Sequence, residues 1–246
     1  MSTMTQSRDR WTREFATTRW SVVLQTGAAD SGDARSALVE LCSRYWYPVY
    51  AYVRRCGHPA EIATDITRHF LQHLLAHFHS TGEPATRGQF RRYLLDKLNA
   101  FLADDWRATS EQPPVLEFAE SPLDLEQRNR EDNVGVSSPE QAYQRSFALE
   151  ILARALKRLR EEARQTGHLA MYEALEPYLA VDPAPGQYAE IAERLGSRPL
   201  ALVVASKRLR QRFRELIGDE LADTVSSAEE LIAEQQALHA LLRERY

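Results

Sequence analysis

The sequence predicts an all-α protein: two small helical domains joined by an acidic linker, with a further helix at the C-terminus. Apolar residues recur at helical spacing through most of the chain, and no segment shows the alternating pattern of a half-buried strand. Glycines such as Gly57, Gly167 and Gly196 separate the periodic segments. The chain has 246 residues, 43% of them hydrophobic, which is enough for two small cores.

The helical periodicity divides the chain in order. Helices are predicted near 11–25, 33–55, 59–79, 87–107, 142–165, 170–180, 187–195, 199–217 and 228–243. They group into a first domain over 11–107, a second over 145–218 and a C-terminal extension over 219–246. Pro48 lies inside the second helix, so we expect it to kink that helix or to end it. Tyr45, Val49 and Tyr52, in the same aromatic segment, are expected to be core residues.

Residues 108–144 have a different composition from the helical segments. Four prolines interrupt them, and eight acidic residues face only two arginines, Arg128 and Arg130. Such a segment cannot bury enough apolar surface to fold by itself. It is therefore predicted to be a solvated, flexible linker.

Several functional classes are disfavoured by what the chain lacks. No run of about 18 apolar residues could span a membrane, and the first residues show no apolar core of a signal peptide. Cys42 and Cys56 do not have the spacing of a zinc site or a disulfide framework. No glycine-rich phosphate loop or nucleophile motif is present. We expect a cytoplasmic, non-enzymatic protein without cofactor, metal or small-molecule substrate.

Three histidines, His69, His73 and His77, recur every four residues and share one face of the third predicted helix. Two of them could offer nitrogens to zinc, but no cysteine or acidic partner lies at a matching local spacing. A solvated or interface surface is the favoured interpretation of this face.

A helix-turn-helix is predicted in the second domain. The short amphipathic segment 187–195 places Ile191 and Leu195 on one face, Gly196 supplies a turn, and Pro199 suits a helix start. The helix that follows has six basic residues and no acidic residue between Arg198 and Arg214. Such a helix suits contacts with DNA phosphates, whereas an arginine-rich solvated surface is the plainer interpretation.

The first domain offers a second candidate surface on the segment 87–107. Phe90, Leu94, Leu98, Phe101 and Leu102 are expected on its buried side. Arginine, lysine, tyrosine and tryptophan alternate with them, a combination that suits single-stranded DNA, since cations follow the backbone and aromatic rings stack on bases. An ordinary surface helix is the alternative.

These segments, in this order, resemble the sigma-70 superfamily in its extracytoplasmic-function branch. Residues 62–71 (IATDITRHFL) resemble the family's polymerase-docking helix, 90–107 its promoter-melting region, and 187–216 its −35-reading domain. The resemblance implies a factor that binds core RNA polymerase, through the beta-prime clamp and the beta flap, and directs it to promoter DNA.

The resemblance also assigns residues to each contact. It implies that polymerase is bound by Glu61, Thr64, Asp65 and Arg68. It implies that the −10 element is contacted by Arg91, Arg92, Tyr93, Lys97, Asn99, Trp106 and Arg107. It implies that the −35 element is contacted by Arg198, Pro199, Ala201, Lys207, Arg208, Arg210 and Arg212.

Thr64 stands where the family's docking helix has a glutamate. Because phosphorylation would add a charge of about −1.5 to −2 at that position, we form the hypothesis that a serine/threonine kinase modifies Thr64 and so permits polymerase binding. Thr67 is the alternative acceptor. A tolerated substitution without regulatory meaning is the simpler interpretation.

The C-terminal extension is acidic and amphipathic. Ser226 or Ser227 is predicted to cap a helix, with Glu229 or Glu230 completing a capping box. The helix is expected to pack on one of the two domains or to cover the basic helix. A packing role is favoured over an autoinhibitory one.

Two other classes of function stay open. A helix-turn-helix regulator that binds duplex DNA without polymerase would need only the second domain, and it leaves the segment 90–107 unexplained. A helical protein-interaction module would leave the basic helix unexplained.

Overall fold

The computed structural model describes residues 19–25, 32–77, 89–104 and 121–243, and all regular structure within these ranges is helical. The α-helices are α1 Arg19–Gln25, α2 Gly32–Arg55, α3 Ala60–His77, α4 Phe90–Ala103, α5 Pro122–Asp132, α6 Pro139–Gln165, α7 Leu169–Leu175, α8 Gln187–Arg194, α9 Pro199–Ala222 and α10 Ala228–Arg243. A 3₁₀ turn, Glu176–Tyr178, follows α7. Within the described ranges, no helix is both long and apolar enough to cross a membrane.

The predicted helices are confirmed where the structure describes them, with three larger changes of length. The helix predicted from 142 begins at Pro139, the one predicted to end at 180 is α-helical only to Leu175, and the one predicted to end at 217 continues to Ala222. Of the two outcomes predicted for Pro48, an end of the helix is excluded, because α2 continues through this residue to Arg55. Residues 11–18 and 105–107, also predicted as helical, lie outside the described residues.

The chain forms two compact units, whose limits differ from the predicted domains. The first unit contains the residues up to Glu150 together with those from Leu221 onward, and the second contains Ile151–Glu220. The C-terminal extension therefore belongs to the first unit.

An aromatic cluster forms the core of the first unit. The ring of Tyr45 lies 5.0 Å from that of Phe90 and 5.3 Å from that of Phe147, between centroids, and Trp20 lies 4.9 Å from Phe90. Tyr45, Trp20 and Phe90 are completely buried. Offset and edge-on ring pairs of this kind add stability beyond the area they bury. The aromatic segment of α2 is thus a core element, as predicted for Tyr45, Val49 and Tyr52, all of which are buried.

The predicted flexible linker needs correction from residue 122 onward, because that part of it folds as α5 and the start of α6. The Oγ of Ser121 accepts a hydrogen bond from the backbone N–H of Asp124, and Pro122 occupies the first helical turn. Residues 108–120 lie outside the described residues.

An acidic residue of α5 is paired with an arginine of α2 rather than left in solvent. Glu126 is buried, and it accepts hydrogen bonds from Tyr50 Oη at 2.8 Å and from Arg54 Nε and Nη2 at 2.7 and 2.6 Å. The Arg54 hydrogen bonds, with those of Tyr50 and Arg130, lower the pKa of Glu126 to about 2 although burial opposes the charge. A buried, fully paired carboxylate fixes α5 to α2, so composition alone was misleading here.

The C-terminal segment, residues 221–243, completes the first unit through backbone and side-chain contacts. The carbonyl of Asp223 accepts from Trp20 N–H at 3.1 Å, and that of Thr224 accepts from Phe90 N–H at 3.0 Å. The Asp223 carboxylate also accepts from Arg44 Nη2 at 3.0 Å and pairs with Arg19. Of the predicted positions for this segment, packing on the first unit is the observed one.

The predicted cap of the last helix is confirmed. The backbone N–H of Glu230 donates to Ser227 Oγ at 3.2 Å, and the carboxylate of Glu230 accepts from the N–H of Ser226 at 2.8 Å. Together these bonds occupy donors that a helix start otherwise leaves unpaired. Ser226, Ser227 and Glu230 therefore define where α10 begins.

Candidate nucleic-acid interface

Where the sequence predicts a helix-turn-helix, the second unit has two helices, α8 and α9, joined by a short turn. Helix α8 ends in a turn where Gly196 has a φ of +61°, and the N–H of Ser197 donates to the carbonyl of Ala192 at 2.8 Å. This is a glycine-terminated helix end, in which the left-handed residue costs little because glycine has no Cβ. The chain then enters α9 at Pro199, and Arg198 immediately precedes it.

The inner face of α9 packs against other helices of the second unit. Leu202 is completely buried in a cluster with Ile191 and Ala192 of α8. Further along, Leu216 lies in a second cluster with Leu159. The partly buried side chains that pack against the second cluster are Leu169, Leu179, Leu209, Phe213 and Ile217. Both ends of α9 are therefore anchored by apolar burial, which fixes the direction of its opposite face.

The opposite side of α9, which we call the outer face, consists of Leu200, Ala201, Val203, Val204, Lys207 and Arg208. All six are exposed, and Leu200 has 75% of its surface accessible. Arg198 and Pro199, at the start of the helix, are exposed as well. Five of the seven residues predicted for −35 DNA thus lie at an accessible surface: Arg198, Pro199, Ala201, Lys207 and Arg208.

The other two predicted −35 residues, Arg210 and Arg212, are engaged within the protein. Arg210 donates from Nε and Nη2 to the carbonyl of Tyr178, at 3.0 and 2.6 Å, and pairs with Asp182 at 2.6 Å. Arg212 donates to Glu162 at 2.9 and 2.8 Å, which raises the pKa of its guanidinium. In this conformation both arginines tie α9 to neighbouring segments of the second unit, and their assignment to DNA stays a prediction.

Arg91, predicted to contact the −10 element, is an internal ion-pair partner in the first unit. Its Nη2 lies 3.0 Å from Oε1 of Glu234 in α10, and its guanidinium lies over the ring of Phe147 at 5.3 Å. Only 14% of the Arg91 side chain and 2% of Glu234 are exposed. In this conformation the cation is occupied within the first unit, and its assignment to the −10 element stays a prediction.

The remaining predicted −10 residues on α4 have mixed surroundings. Tyr93 packs on Trp20, with centroids 5.5 Å apart, and Lys97 Nζ lies 5.8 Å from the Tyr93 ring. Asn99 is exposed, yet its Oδ1 accepts a hydrogen bond from Tyr52 Oη at 2.7 Å. Arg92 is exposed. Accessible polar groups therefore persist along α4, chiefly Arg92, Lys97 and Asn99.

Two predicted −10 residues, Trp106 and Arg107, lie outside the described residues.

The predicted polymerase-docking residues are divided between the surface and the interior of α3. Glu61 is exposed, and Asp65 and Arg68 are partly exposed, with Oδ1 and Nη1 separated by 3.5 Å. An exposed pair of this length contributes little to stability. Glu61, Asp65 and Arg68 are therefore accessible to a partner.

The two predicted kinase acceptors face the core. Thr64 is 5% exposed and donates from Oγ1 to the carbonyl of Ala60 at 2.9 Å, while Thr67 is completely buried and donates to Ala63 at 2.7 Å. A dianionic phosphate placed on either hydroxyl would have to take up a position that the folded chain largely covers, where a charge is costly. The burial of both hydroxyls argues against phosphorylation of the folded chain at Thr64 or Thr67.

The three histidines of α3 contact their own helix. Nδ1 of His69 lies 2.8 Å from the carbonyl of Asp65, and Nδ1 of His77 lies 2.9 Å from that of His73. The His73 and His77 rings stack at 4.2 Å, and burial, followed by the charge of His77, lowers the pKa of His73. In the part of the chain that the structure describes, no three histidine, cysteine or acidic side chains are placed to hold a metal ion.

Sequence reasoning missed the exposed aliphatic residues of the outer face. The apolar character of Val203 and Val204 is typical of core residues, whereas 43% and 44% of them are exposed. The signal was present in the spacing: Leu200 and Val204 are four residues apart, on the side opposite Leu202 and Leu209.

Comparisons of the chain with protein-family models, with curated proteins and with solved structures find no match.

Proposed function

We propose that this chain is a promoter-recognition subunit of bacterial RNA polymerase, of the sigma-70 type. The observation that carries the proposal is the helix-turn-helix of the second unit, with its anchored inner face and its exposed cations Arg198, Lys207 and Arg208. In helix-turn-helix proteins the second helix enters the major groove, and basic residues along it contact phosphates. The promoter role is supported by the order of the segments along the chain, which resembles that of the sigma-70 superfamily.

The proposal assigns separate tasks to the two units. The first unit would bind core polymerase through the exposed surface of α3, at Glu61, Asp65 and Arg68, and would engage the −10 element through α4. The second unit would bind −35 DNA through α9. The division into functional domains and a cytoplasmic location are parts of this proposal, whereas a phosphorylation switch at Thr64 is not, because the hydroxyl is buried.

A second candidate is a helix-turn-helix regulator that acts without polymerase. One observation favours it: Arg91, a predicted −10 contact, is occupied by Glu234. A regulator of this kind would need the outer face of α9 alone.

Binding of the purified full chain to bacterial core RNA polymerase distinguishes the two. Tight binding, lost in a Glu61→Arg/Asp65→Arg double variant and retained in a Glu229→Arg control on exposed α10 surface, supports the sigma-type function. Duplex DNA binding without any polymerase binding supports the regulator. Binding to neither rejects both.

A further inference from the structure

The outer face of α9 begins with apolar side chains and becomes basic one turn later. Every residue from Pro199 to Ala205 is apolar (PLALVVA), and in this stretch only Leu202 is fully buried. Leu200, Val203 and Val204 are 75%, 43% and 44% exposed. Several large aliphatic side chains exposed together usually mark a surface that a partner covers.

The charges around these side chains indicate a polyanion as the partner. No acidic residue lies between Arg198 and Arg214, and the exposed cations Lys207 and Arg208 begin three residues after Val204. Cores of protein–protein interfaces are instead depleted of charge. An α-helix fits the major groove of duplex DNA, where flanking cations reach the phosphates.

Within the major groove, aliphatic side chains have one partner that distinguishes bases. Each base pair presents hydrogen-bonding groups there, and thymine alone adds a methyl group at C5. The first two turns of α9 offer no side-chain donor or acceptor between Pro199 and Ala205. The side chains of these turns therefore cannot hydrogen-bond to bases, whereas their contact with methyl groups is favourable because it removes apolar surface from water.

We propose that Leu200 and Val204 recognise thymine 5-methyl groups in the major groove, with Lys207 and Arg208 positioning the helix on the phosphates. Leu200 and Val204 lie one helical turn apart on the outer face, so they can reach neighbouring base pairs on one edge of the groove. This inference rests on the DNA-binding part of the proposed function and specifies what the recognition helix reads.

The test uses a duplex whose methyl groups can be removed without changing its base pairing. Preferred sequences are first selected from a random pool of duplex DNA by the full chain, both alone and mixed with core RNA polymerase. Each selected duplex is then made with thymine and with uracil, and the dissociation constants are compared at fixed salt. We expect the uracil duplex to bind about fourfold more weakly for each methyl in contact.

Variants of exposed residues separate methyl recognition from general DNA affinity. Leu200→Ala and Val204→Ala should bring the ratio of the affinities for the thymine and uracil duplexes closer to one. Lys207→Ala should weaken both duplexes equally and keep the ratio, and Ile232→Ala, which trims an exposed aliphatic residue in α10, should change neither.

Equal binding of thymine and uracil duplexes by the unaltered chain would overturn the inference while leaving DNA binding intact. A ratio unaffected by both Leu200→Ala and Val204→Ala would also overturn it and would leave a protein as the partner of the outer face. Absence of salt-dependent DNA binding, alone and with polymerase, would reject the proposed function together with the inference. Methyl discrimination without polymerase binding would keep the inference and reject the sigma-type function.

Discussion

Glu234, in the last helix, forms an ion pair with Arg91 at the start of α4, with 3.0 Å between Oε1 and Nη2. The two residues are 143 positions apart in the chain, and Glu234 is almost fully buried. A buried charge is tolerated only when it is paired, so each partner makes the other necessary.

Removing one member of this pair should destabilise the protein. We expect Glu234→Ala to lower the free energy of unfolding by about 3 kcal/mol, because Arg91 is left as an uncompensated cation in a nearly dry site. Chemical denaturation followed by circular dichroism measures this, with Glu229→Ala, an exposed acid of the same helix, as the control. Replacing both members, in Arg91→Met/Glu234→Leu, should recover most of the loss. A loss as small as that of the control would contradict an internal role for Arg91.

Stability should fall at low pH through Glu126. Its pKa is lowered from 4.5 to about 2, first by the hydrogen bonds from Arg54. A depressed carboxyl pKa stabilises the folded state above the unfolded-state value, and the contribution disappears as pH falls from about 4.5 to about 2. The shift corresponds to about 3 kcal/mol. Urea titrations between pH 2 and 6 should show that the free energy of unfolding depends less on pH in Glu126→Gln than in the unaltered chain. An unchanged slope in that variant would assign the acid sensitivity to other carboxyls.

Charge at position 64 should disrupt the fold rather than activate the protein. We expect Thr64→Glu to lower stability by several kcal/mol, on the order of the cost of an unpaired buried charge. Thr64→Ala and Thr64→Ser should stay close to the unaltered chain in thermal unfolding and in polymerase binding. A Thr64→Glu chain that folds normally and binds polymerase more tightly would restore the kinase hypothesis.

The cations of α9 should separate into two groups. Lys207→Ala should reduce DNA affinity and lower the slope of log K against log salt by about 0.9, with little change in stability. Arg210→Ala should instead reduce stability by about 1–3 kcal/mol, since the carbonyl of Tyr178 loses its donors. Fluorescence anisotropy at several salt concentrations, together with urea denaturation, measures both effects. An equal salt slope change in the two variants would show that Arg210 also reaches phosphate.

Gly196 should tolerate asparagine better than alanine. Its φ of +61° lies in the left-handed region, and nothing lies within 4 Å of a Cβ built there, so strain in the backbone is the whole cost. We expect Gly196→Ala to lower the free energy of unfolding by about 1 kcal/mol and Gly196→Asn by less. Thermal unfolding of both variants measures this. Equal losses would indicate that the turn rearranges.

Local patterns in the sequence were enough to predict the helices but not the pairing of charges. The 3.6-residue period located α2, α3, α4 and α9 because each buries one apolar stripe. Helix α5 was missed although Ser121, Pro122 and Asp124 form a recognisable helix start. Its acids suggested a solvated segment because their partner, Arg54, lies 72 residues earlier and is brought near only by the tertiary fold.

The same limit applies to the candidate interface. Arg91 and Arg208 are alike in sequence terms, each a cation among aliphatic or aromatic neighbours on an amphipathic helix. Contacts with the distant residues Glu234 and Phe147 make the first internal, whereas the second is exposed. Sequence periodicity assigns a residue to a side of its helix; what covers that side depends on distant segments.

The contacts of the C-terminal segment also set an order of events during synthesis of the chain. The carbonyls of Asp223 and Thr224 and the carboxylate of Glu234 complete a unit whose other helices are translated first. Domains usually fold in the order in which they leave the ribosome. Here the first unit stays incomplete until the last helix emerges, while the second unit, Ile151–Glu220, has all of its own residues earlier. A nascent chain that stops before residue 221 would therefore contain all of the second unit and only part of the first.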